Sequence, residues 1–301
     1  MNIIFMGTPD FAIPSLKKLT ESKHKIVAVV TAPDKQRGRG RKFSFTPVKQ
    51  FAVDNNIPVL QPENLKDNTE FVYELKNFNA DLFVVVAFRI LPTEVFNIPP
   101  KGSFNLHGSY LPKYRGAAPI QWALINGETE TGLTTFKLAE KVDTGNIYLQ
   151  RRFEIFPEDN FESLHDRLSI EGATLVLDTV DLIEFSNYVL YEQDDSLATP
   201  APKITNEIAL IDWNKSALDI HNLVRGLSPV PGAYFKFDDK IIKVYKSQVV
   251  ERNDLRAGEF SQTKVELFVG CAEKALSILE LQQEGKKRMG IEEFLRGFSF
   301  Q

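Results

Sequence analysis

Apolar residues in the first half of the chain fall into two alternating kinds of run. "NIIFMG" (2–7), "KIVAVVTA" (25–32) and "DLFVVVAF" (81–88) are short, continuous and rich in β-branched residues, the pattern of strands buried on both faces. "PDFAIPSLKKLTES", "PVKQFAVDNN" and "TEFVYELKNFN" space their apolar residues three and four apart, which predicts helices. Continuous strands separated by helices predict a doubly wound α/β domain, its parallel sheet covered on both faces. "GLTTFKLA" and "GNIYLQRRFEIF" then predict a late hairpin, and "FESLHDRLSIEGATLVLDTVDLIEF" a long amphipathic helix.

The pattern breaks after residue 186. "NYVLYEQDDSLATPAPKIT" (187–205) carries prolines and acidic residues without periodicity and reads as a linker. Beyond it, "SALDIHNLVRGLS" predicts a helix, and "GAYFKF", "KIIKVYKSQVV", "KVELFVG" and "ALSILELQ" predict successive short strands. That succession suits a small antiparallel barrel. The expected division is therefore 1–186, 187–205 and 206–301.

Composition narrows the classes. A chain of 301 residues, 43% hydrophobic, can bury the cores of two domains. A formal charge of −4 argues against general nucleic-acid binding but leaves room for a local basic patch. One cysteine, Cys271, excludes an internal disulfide and a cysteine-rich metal site, and fits a reducing compartment. The N-terminus lacks the basic flank of a signal peptide, and no apolar run approaches about 18 residues. A soluble, cytoplasmic protein is expected.

Three segments carry candidate chemistry. In "SFNLHGS" (103–109), Asn105 and His107 alternate with Phe104 and Leu106. On a strand, residues two apart share a face, so the two polar side chains project together while the apolar pair packs. "KVDTGN" places Asp143 in a strand-to-strand turn downstream. Asn, His and Asp with no Ser or Cys beside them suit oxyanion stabilisation and proton transfer without a covalent enzyme intermediate; a purely structural histidine stays open on this pattern. No histidine spacing supports a metal site. "GTPDFA" turns from strand to helix at Gly7 but lacks the GxGxxG dinucleotide spacing. Finally, "DKQRGRGRK" puts Lys35, Arg37, Arg39, Arg41 and Lys42 around Gly38 and Gly40. The glycines disfavour a helix or strand there. The run is either a solvated loop or a contact for a phosphate backbone.

Longer segments add a resemblance. "MGTPDFA", "NLHGSYLPKYRGAAPIQWAL", "NGETETGLTTFKL", "KVDTGNIY", "IDWNKSA", "SPVPGAYF" and "LQQEGKKRMGIEEFLRG" are together similar to the folate-dependent formyltransferases, in particular those acting on methionyl-tRNA. The resemblance runs from residue 1 to about 297. It implies a Rossmann-like N-terminal formyltransferase domain, a linker and a small OB-like C-terminal β-barrel that binds tRNA. It implies transfer of a formyl group from 10-formyltetrahydrofolate to the amino group of methionine on initiator tRNA; apart from the resemblance, no metal is expected, and a monomer is the default expectation. By the same resemblance, Asn105 holds the formyl oxygen, His107 donates to the oxyanion and moves the amine's proton, and Asp143 binds the imidazole. Folate contacts map onto Phe88, Arg89, Ile90 and Leu91 and onto Ser109, Tyr110, Leu111 and Pro112. The tRNA contacts map onto Arg37, Arg39, Arg41 and Lys42, and Lys236, Lys240, Lys243 and Lys246 form a candidate second RNA patch. Three positions depart from the family's habit. Phe88-Arg89 replaces Tyr-Gly and is expected to leave an exposed arginine beside the pterin, Tyr110 replaces leucine, and Val230 replaces tryptophan. A formyltransferase for sugar or nucleotide amines would be expected to drop the basic loop and the barrel. A non-catalytic RNA-binding relative would be expected to lose the Asn, His and Asp set.

Overall fold

In a computed structural model, residues 1–37, 42–186 and 188–300 are described. They form two compact units, one of residues 1–116, 132–153 and 165–200, the other of 117–131, 154–164 and 201–301. Both are discontinuous in sequence. The stretch read as a linker belongs to the first unit as far as residue 200.

The strands of the first unit are β1 (Asn2–Gly7), β2 (Lys25–Val30), β3 (Lys35–Arg37), β4 (Lys42–Ser44), β5 (Val59–Leu60), β6 (Leu82–Val86), β7 (Ser103–His107), β8 (Arg115–Gly116), β9 (Glu130–Lys137) and β10 (Ile147–Glu154). Seven of them make one sheet in the order β10-β9-β7-β6-β1-β2-β5. Pairing is parallel from β5 to β7 and antiparallel between β7 and β9. The sheet is thus mixed, because the predicted late hairpin adds to the edge of the parallel part. All five residues of β6 are buried. Ile4 and Met6 pack with Phe83, Val85, Phe71 and Leu75 on one face, while Ile3 and Phe5 on the other face are equally inaccessible. Burial of such side chains contributes about 1.5–3 kcal/mol each.

Of helices α1 (Ile13–Thr20), α2 (Pro47–Asp54), α3 (Thr69–Asn77) and α4 (Thr93–Phe96), α2 follows β4 and the others follow strands of this sheet. The sequence supplies their starts. Thr46 caps α2 and Asn68 caps α3 through side-chain oxygens that accept the Lys49 and Phe71 amides, each cap worth about 1 kcal/mol. Gly7 closes β1 because Ala12 packs against it; a Cβ there would lie 2.8 Å from that of Ala12 and 2.9 Å from the Val86 carbonyl. After α5 (Pro119–Ile125), the predicted long helix is α6 (Phe161–Phe185).

In the basic run, Lys35–Arg37 and Lys42–Ser44 pair antiparallel, with Arg37 opposite Lys42. The expectation that its glycines prevent a strand is corrected on both flanks: pairing needs only the flanking residues themselves to be extended. Arg39 and Arg41 lie outside the described residues.

From β11 (Pro200–Ala201) onward come α7 (Asn206–Ala209), α8 (Ala217–Gly226), β12 (Ala233–Phe237), β13 (Lys240–Val250), β14 (Phe260–Gln262), β15 (Leu267–Gly270), β16 (Ala275–Gln283), β17 (Met289–Gly290) and α9 (Ile291–Leu295). The sheet runs β12-β13-β16-β15-β14, with β17 attached to β16. Its path ends at β12 and β14, so the small antiparallel barrel expected here takes the form of a curled half-barrel. Aromatic side chains span its ends. Phe260 lies 5.6 Å from Phe235 and 5.3 Å from Phe237, and it stacks on Phe300 at 5.1 Å. No helix among the described residues is long and apolar enough to cross a membrane.

Candidate active site

The strand order of the first unit reverses at β1, where β2 lies on one side and β6 on the other. In open α/β sheets, ligands bind at such a point, beyond the carboxyl ends of the strands. The segment after β6 and the end of β7 both emerge there.

On β7, Phe104 and Leu106 are buried, and Asn105 sits between Val85 and Phe136 on the neighbouring strands. Asn105 is half-buried, and among the described residues its amide has no hydrogen-bond partner. His107 is itself buried, 5% exposed, with its ring edge-on to Phe136. Its Nε2 lies 2.8 Å from the Tyr114 carbonyl. A carbonyl oxygen only accepts, so Nε2 carries the hydrogen. Nδ1 then faces Asp143, 3.8 Å from Oδ2.

Asp143 follows β9 in a turn, with φ 55°, a conformation costly for a residue with a Cβ. The turn also requires Gly145, since a Cβ there would collide with the Lys137 carbonyl. Asp143 Oδ2 accepts the Gly116 backbone N–H at 2.8 Å, a closer partner than the imidazole. The structure therefore brings His107 and Asp143 together, and places Asn105 two residues from His107 on the same strand.

The Ser109–Pro112 segment is held from below. Thr134 Oγ1 donates to the Ser109 carbonyl at 2.8 Å and accepts the Leu111 amide at 3.0 Å. Gln150 Nε2 donates to the Leu111 carbonyl at 2.8 Å. Ser109 and Leu111 are buried. Tyr110 lies beneath the Arg152 guanidinium, 4.2 Å from the ring centroid. In the segment after β6, Ile90 is 74% exposed and Leu91 is buried. Arg89 is not the exposed arginine expected. It is half-buried, and its two terminal nitrogens donate to the Glu63 and Pro62 carbonyls, each at 2.8 Å. Carbonyls of a neighbouring segment thus take the charge that solvent was expected to hold.

The basic hairpin is anchored at its base. Lys49 pairs with Asp34, and Gln61 Nε2 donates to the same carboxylate at 2.9 Å. The Lys49 hydrogen bond, first among the causes, holds the Asp34 carboxyl below its ordinary range.

Among the described residues, one group of histidine and carboxylates gathers its ligand atoms within 4.8 Å, namely His24, Asp181 and Glu184. Lys23 already pairs with both carboxylates, at 3.0 and 2.7 Å, and His24 precedes β2, at the amino edge of the sheet. In the second unit Cys271 is buried, which pushes its thiol up to about 11; a protonated thiol is a poor nucleophile and metal ligand.

Sequence reasoning missed Tyr114 and Gly116, whose backbone groups orient His107 and Asp143. It also missed Thr134 and Gln150, which are internal to strands. The contacts to His107 and Asp143 are made by backbone groups of the Tyr-Arg-Gly segment, and backbone hydrogen bonding leaves no mark on residue type.

Residues 1–180 match the Formyl transferase family, and residues 203–299 match Formyl transferase, C-terminal domain. A methionyl-tRNA formyltransferase of Caldanaerobacter subterraneus is 49% identical over 99% of this chain and 97% of its own length. One from Geobacter metallireducens is 45% identical over 99% and 96%. Among solved structures, the sugar 3N-formyl transferase WlaRD superposes with a TM-score of 0.69 at 22% identity, covering 95% of this chain and 99% of that one. A methionyl-tRNA formyltransferase from Clostridium thermocellum superposes with a TM-score of 0.58 at 17% identity, covering 92% and 99%. The sugar enzyme's coverage reaches into the second half, so presence of that half does not by itself distinguish acceptors, contrary to expectation. With both domain families matched in order and near-half identity over almost every residue, the chain belongs to the formyl transferase family.

Proposed function

We propose that this chain transfers the formyl group of 10-formyltetrahydrofolate to the α-amino group of methionyl initiator tRNA, with Asn105, His107 and Asp143 at the reacting centre. The observation that carries this is the pairing of a buried imidazole with a carboxylate, 3.8 Å apart, beside an amide that has no hydrogen-bond partner among the described residues. The full-length identity to methionyl-tRNA formyltransferases supports the acceptor.

The amine nitrogen attacks the formyl carbon, and the carbonyl oxygen becomes an oxyanion. The Asn105 amide is placed to donate to that oxygen, a contact typically worth about 2.7–4 kcal/mol in the transition state. Nδ1 of His107 is the open basic position. It takes the proton released by the amine, directly or through water, and the Asp143 carboxylate stabilises the imidazolium. Collapse breaks the bond from the formyl carbon to the folate nitrogen, which receives the proton back. The donor would lie against Phe88 and Ile90 on one side and Tyr110 and Pro112 on the other. Arg89, Leu91, Ser109 and Leu111 serve that site chiefly as its support. Arg37, Arg39, Arg41 and Lys42 would meet acceptor-end phosphates, which carry the charge that such a run attracts.

The test is formylation of methionyl initiator tRNA by 10-formyltetrahydrofolate, beside free methionine, methionyl elongator tRNA and a nucleotide-linked amino sugar. N-formylmethionine is expected on the initiator tRNA. Comparable formylation of the amino sugar would overturn the acceptor assignment.

A further inference from the structure

We infer that Gln193, held by Arg115, is a positioning residue for Asp143, so that the segment read as a linker is part of the catalytic apparatus. The inference rests on the role of Asp143 proposed above. Gln193 Nε2 donates to the Asp143 carbonyl at 2.9 Å and to the Gly145 carbonyl at 2.8 Å. An amide NH2 has two hydrogens, and both are used on one turn. On the other side, Gln193 Oε1 accepts from Arg115 Nε at 3.0 Å and from Nη2 at 2.8 Å. The amide therefore has one permitted orientation, since a flip would set its oxygen against two carbonyls and its NH2 against a guanidinium. Arg115 Nη2 is fixed in turn by Asp195 Oδ1 at 2.7 Å.

Neighbouring contacts make the same point. Gly116, next to Arg115, donates to the Asp143 carboxylate, so this two-residue strand holds Asp143 directly by its side chain and through Gln193 by its backbone. Tyr191 pairs in both directions with Ile147, at 2.7 and 3.0 Å, closing the far end of the turn. Thr199 Oγ1 accepts the amide of Tyr114 at 2.8 Å, and Tyr114 is the residue whose carbonyl holds His107. Asp143 stands at positive φ, where the backbone does not hold itself. A conformation of that kind persists only when its surroundings over-determine it.

A merely structural role, tying 187–200 to the unit, would affect stability and leave turnover of the folded protein intact. The discriminating variant is Gln193→Glu, which keeps an acceptor for Arg115 and turns an oxygen toward the two carbonyls. Made in the full chain, it should lower kcat by on the order of 10- to 100-fold, the cost of misplacing a reacting group by about 1 Å. KM for folate donor and tRNA should stay within about twofold of the parent. Combined with Asp143→Asn, it should add less than about twofold to the loss caused by that change alone, because the two act as one unit. Gln193→Met, similar in length without polar groups, takes its place if the glutamate variant does not fold. Normal kcat in the folded Gln193 variants, with Asp143→Asn impaired, overturns the inference and leaves the Asp143 reading standing. A loss that multiplies fully with that of Asp143→Asn also overturns it. Normal turnover in Asp143→Asn removes both readings together.

Discussion

Asn105, His107 and Asp143 are held by three different means. A strand between two others fixes Asn105, a backbone carbonyl fixes the ring of His107, and a backbone amide fixes the carboxylate of Asp143. Alanine at His107 or Asp143 removes the reacting group together with the one backbone hydrogen bond that holds it, while the pairing of β7 with its neighbours does not depend on any of the three side chains. Asn105→Ala, His107→Ala and Asp143→Ala are each expected to lower turnover at least about a hundredfold, roughly 2.7 kcal/mol or more of transition-state stabilisation. Single-turnover formylation beside circular dichroism checks this, and near-normal turnover in a variant would take that residue out of the mechanism. The alternation of Asn105 and His107 with Phe104 and Leu106 was legible in the sequence because strand geometry dictates it. The hydrogen-bond order around His107 was not, since backbone groups of distant residues make it.

At the scale of elements, the basic hairpin and the aromatic closure of the half-barrel are the most exposed to test. Strand pairing sets Arg37 opposite Lys42 in register, within a run of five basic residues in eight positions. Such a run attracts an anionic partner. If phosphates supply it, alanine at Arg37, Arg39, Arg41 or Lys42 should each lower the salt slope of tRNA binding by about 0.7–0.9. Affinity for the folate donor should not change. Titrations across a salt series decide this, and four unchanged slopes would leave the run a solvated hairpin. In the second unit, Phe260 meets Phe235, Phe237 and Phe300 where backbone pairing ends. Phe260→Ala should cost that unit about 3 kcal/mol, measured by urea unfolding. A loss below about 1 kcal/mol would mean that the cluster only covers the gap.

Both tryptophans, Trp122 and Trp213, belong to the second unit, so tryptophan fluorescence reports its unfolding within the whole molecule. Protonation gives a handle on the same transition. His221 is pushed below its ordinary pKa, first by burial and then by the nearby Arg225 charge, while its Nδ1 lies 3.0 Å from Ser247 Oγ. A lowered pKa means that the unfolded chain takes up this proton more readily than the folded one. Stability should therefore fall as pH drops below about 6.5, the unfolded value, and level off beneath the folded one. In His221→Gln that part of the decline should be missing. Fluorescence-detected urea midpoints at about pH 7.5 and pH 5 would show it, and parallel declines in parent and variant would refute it.

The run of β-branched strands, the helix-spaced segments between them and the capping residues Thr46 and Asn68 follow from local physics, which is why sequence alone predicted a doubly wound sheet with a smaller β-rich unit after it. Side-chain alternation likewise put Asn105 and His107 together, and Gly145 marked the Asp143 turn. What depended on distant chain segments was beyond reach. Across the ends of the half-barrel, where backbone pairing stops, phenylalanines far apart in sequence meet. Arg89 is half-buried because carbonyls of residues 62 and 63 happen to face it. Residues 117–131 and 154–164 fold with the second unit, although nothing in their pattern separates them from the first. Gln193 had no signal in its own segment, since one glutamine among prolines and acidic residues is ordinary. Its partners, Arg115 and the Asp143 turn, lie 78 and 50 residues away; only the closed fold brings a donor pair, an acceptor and a strained turn within hydrogen-bond reach.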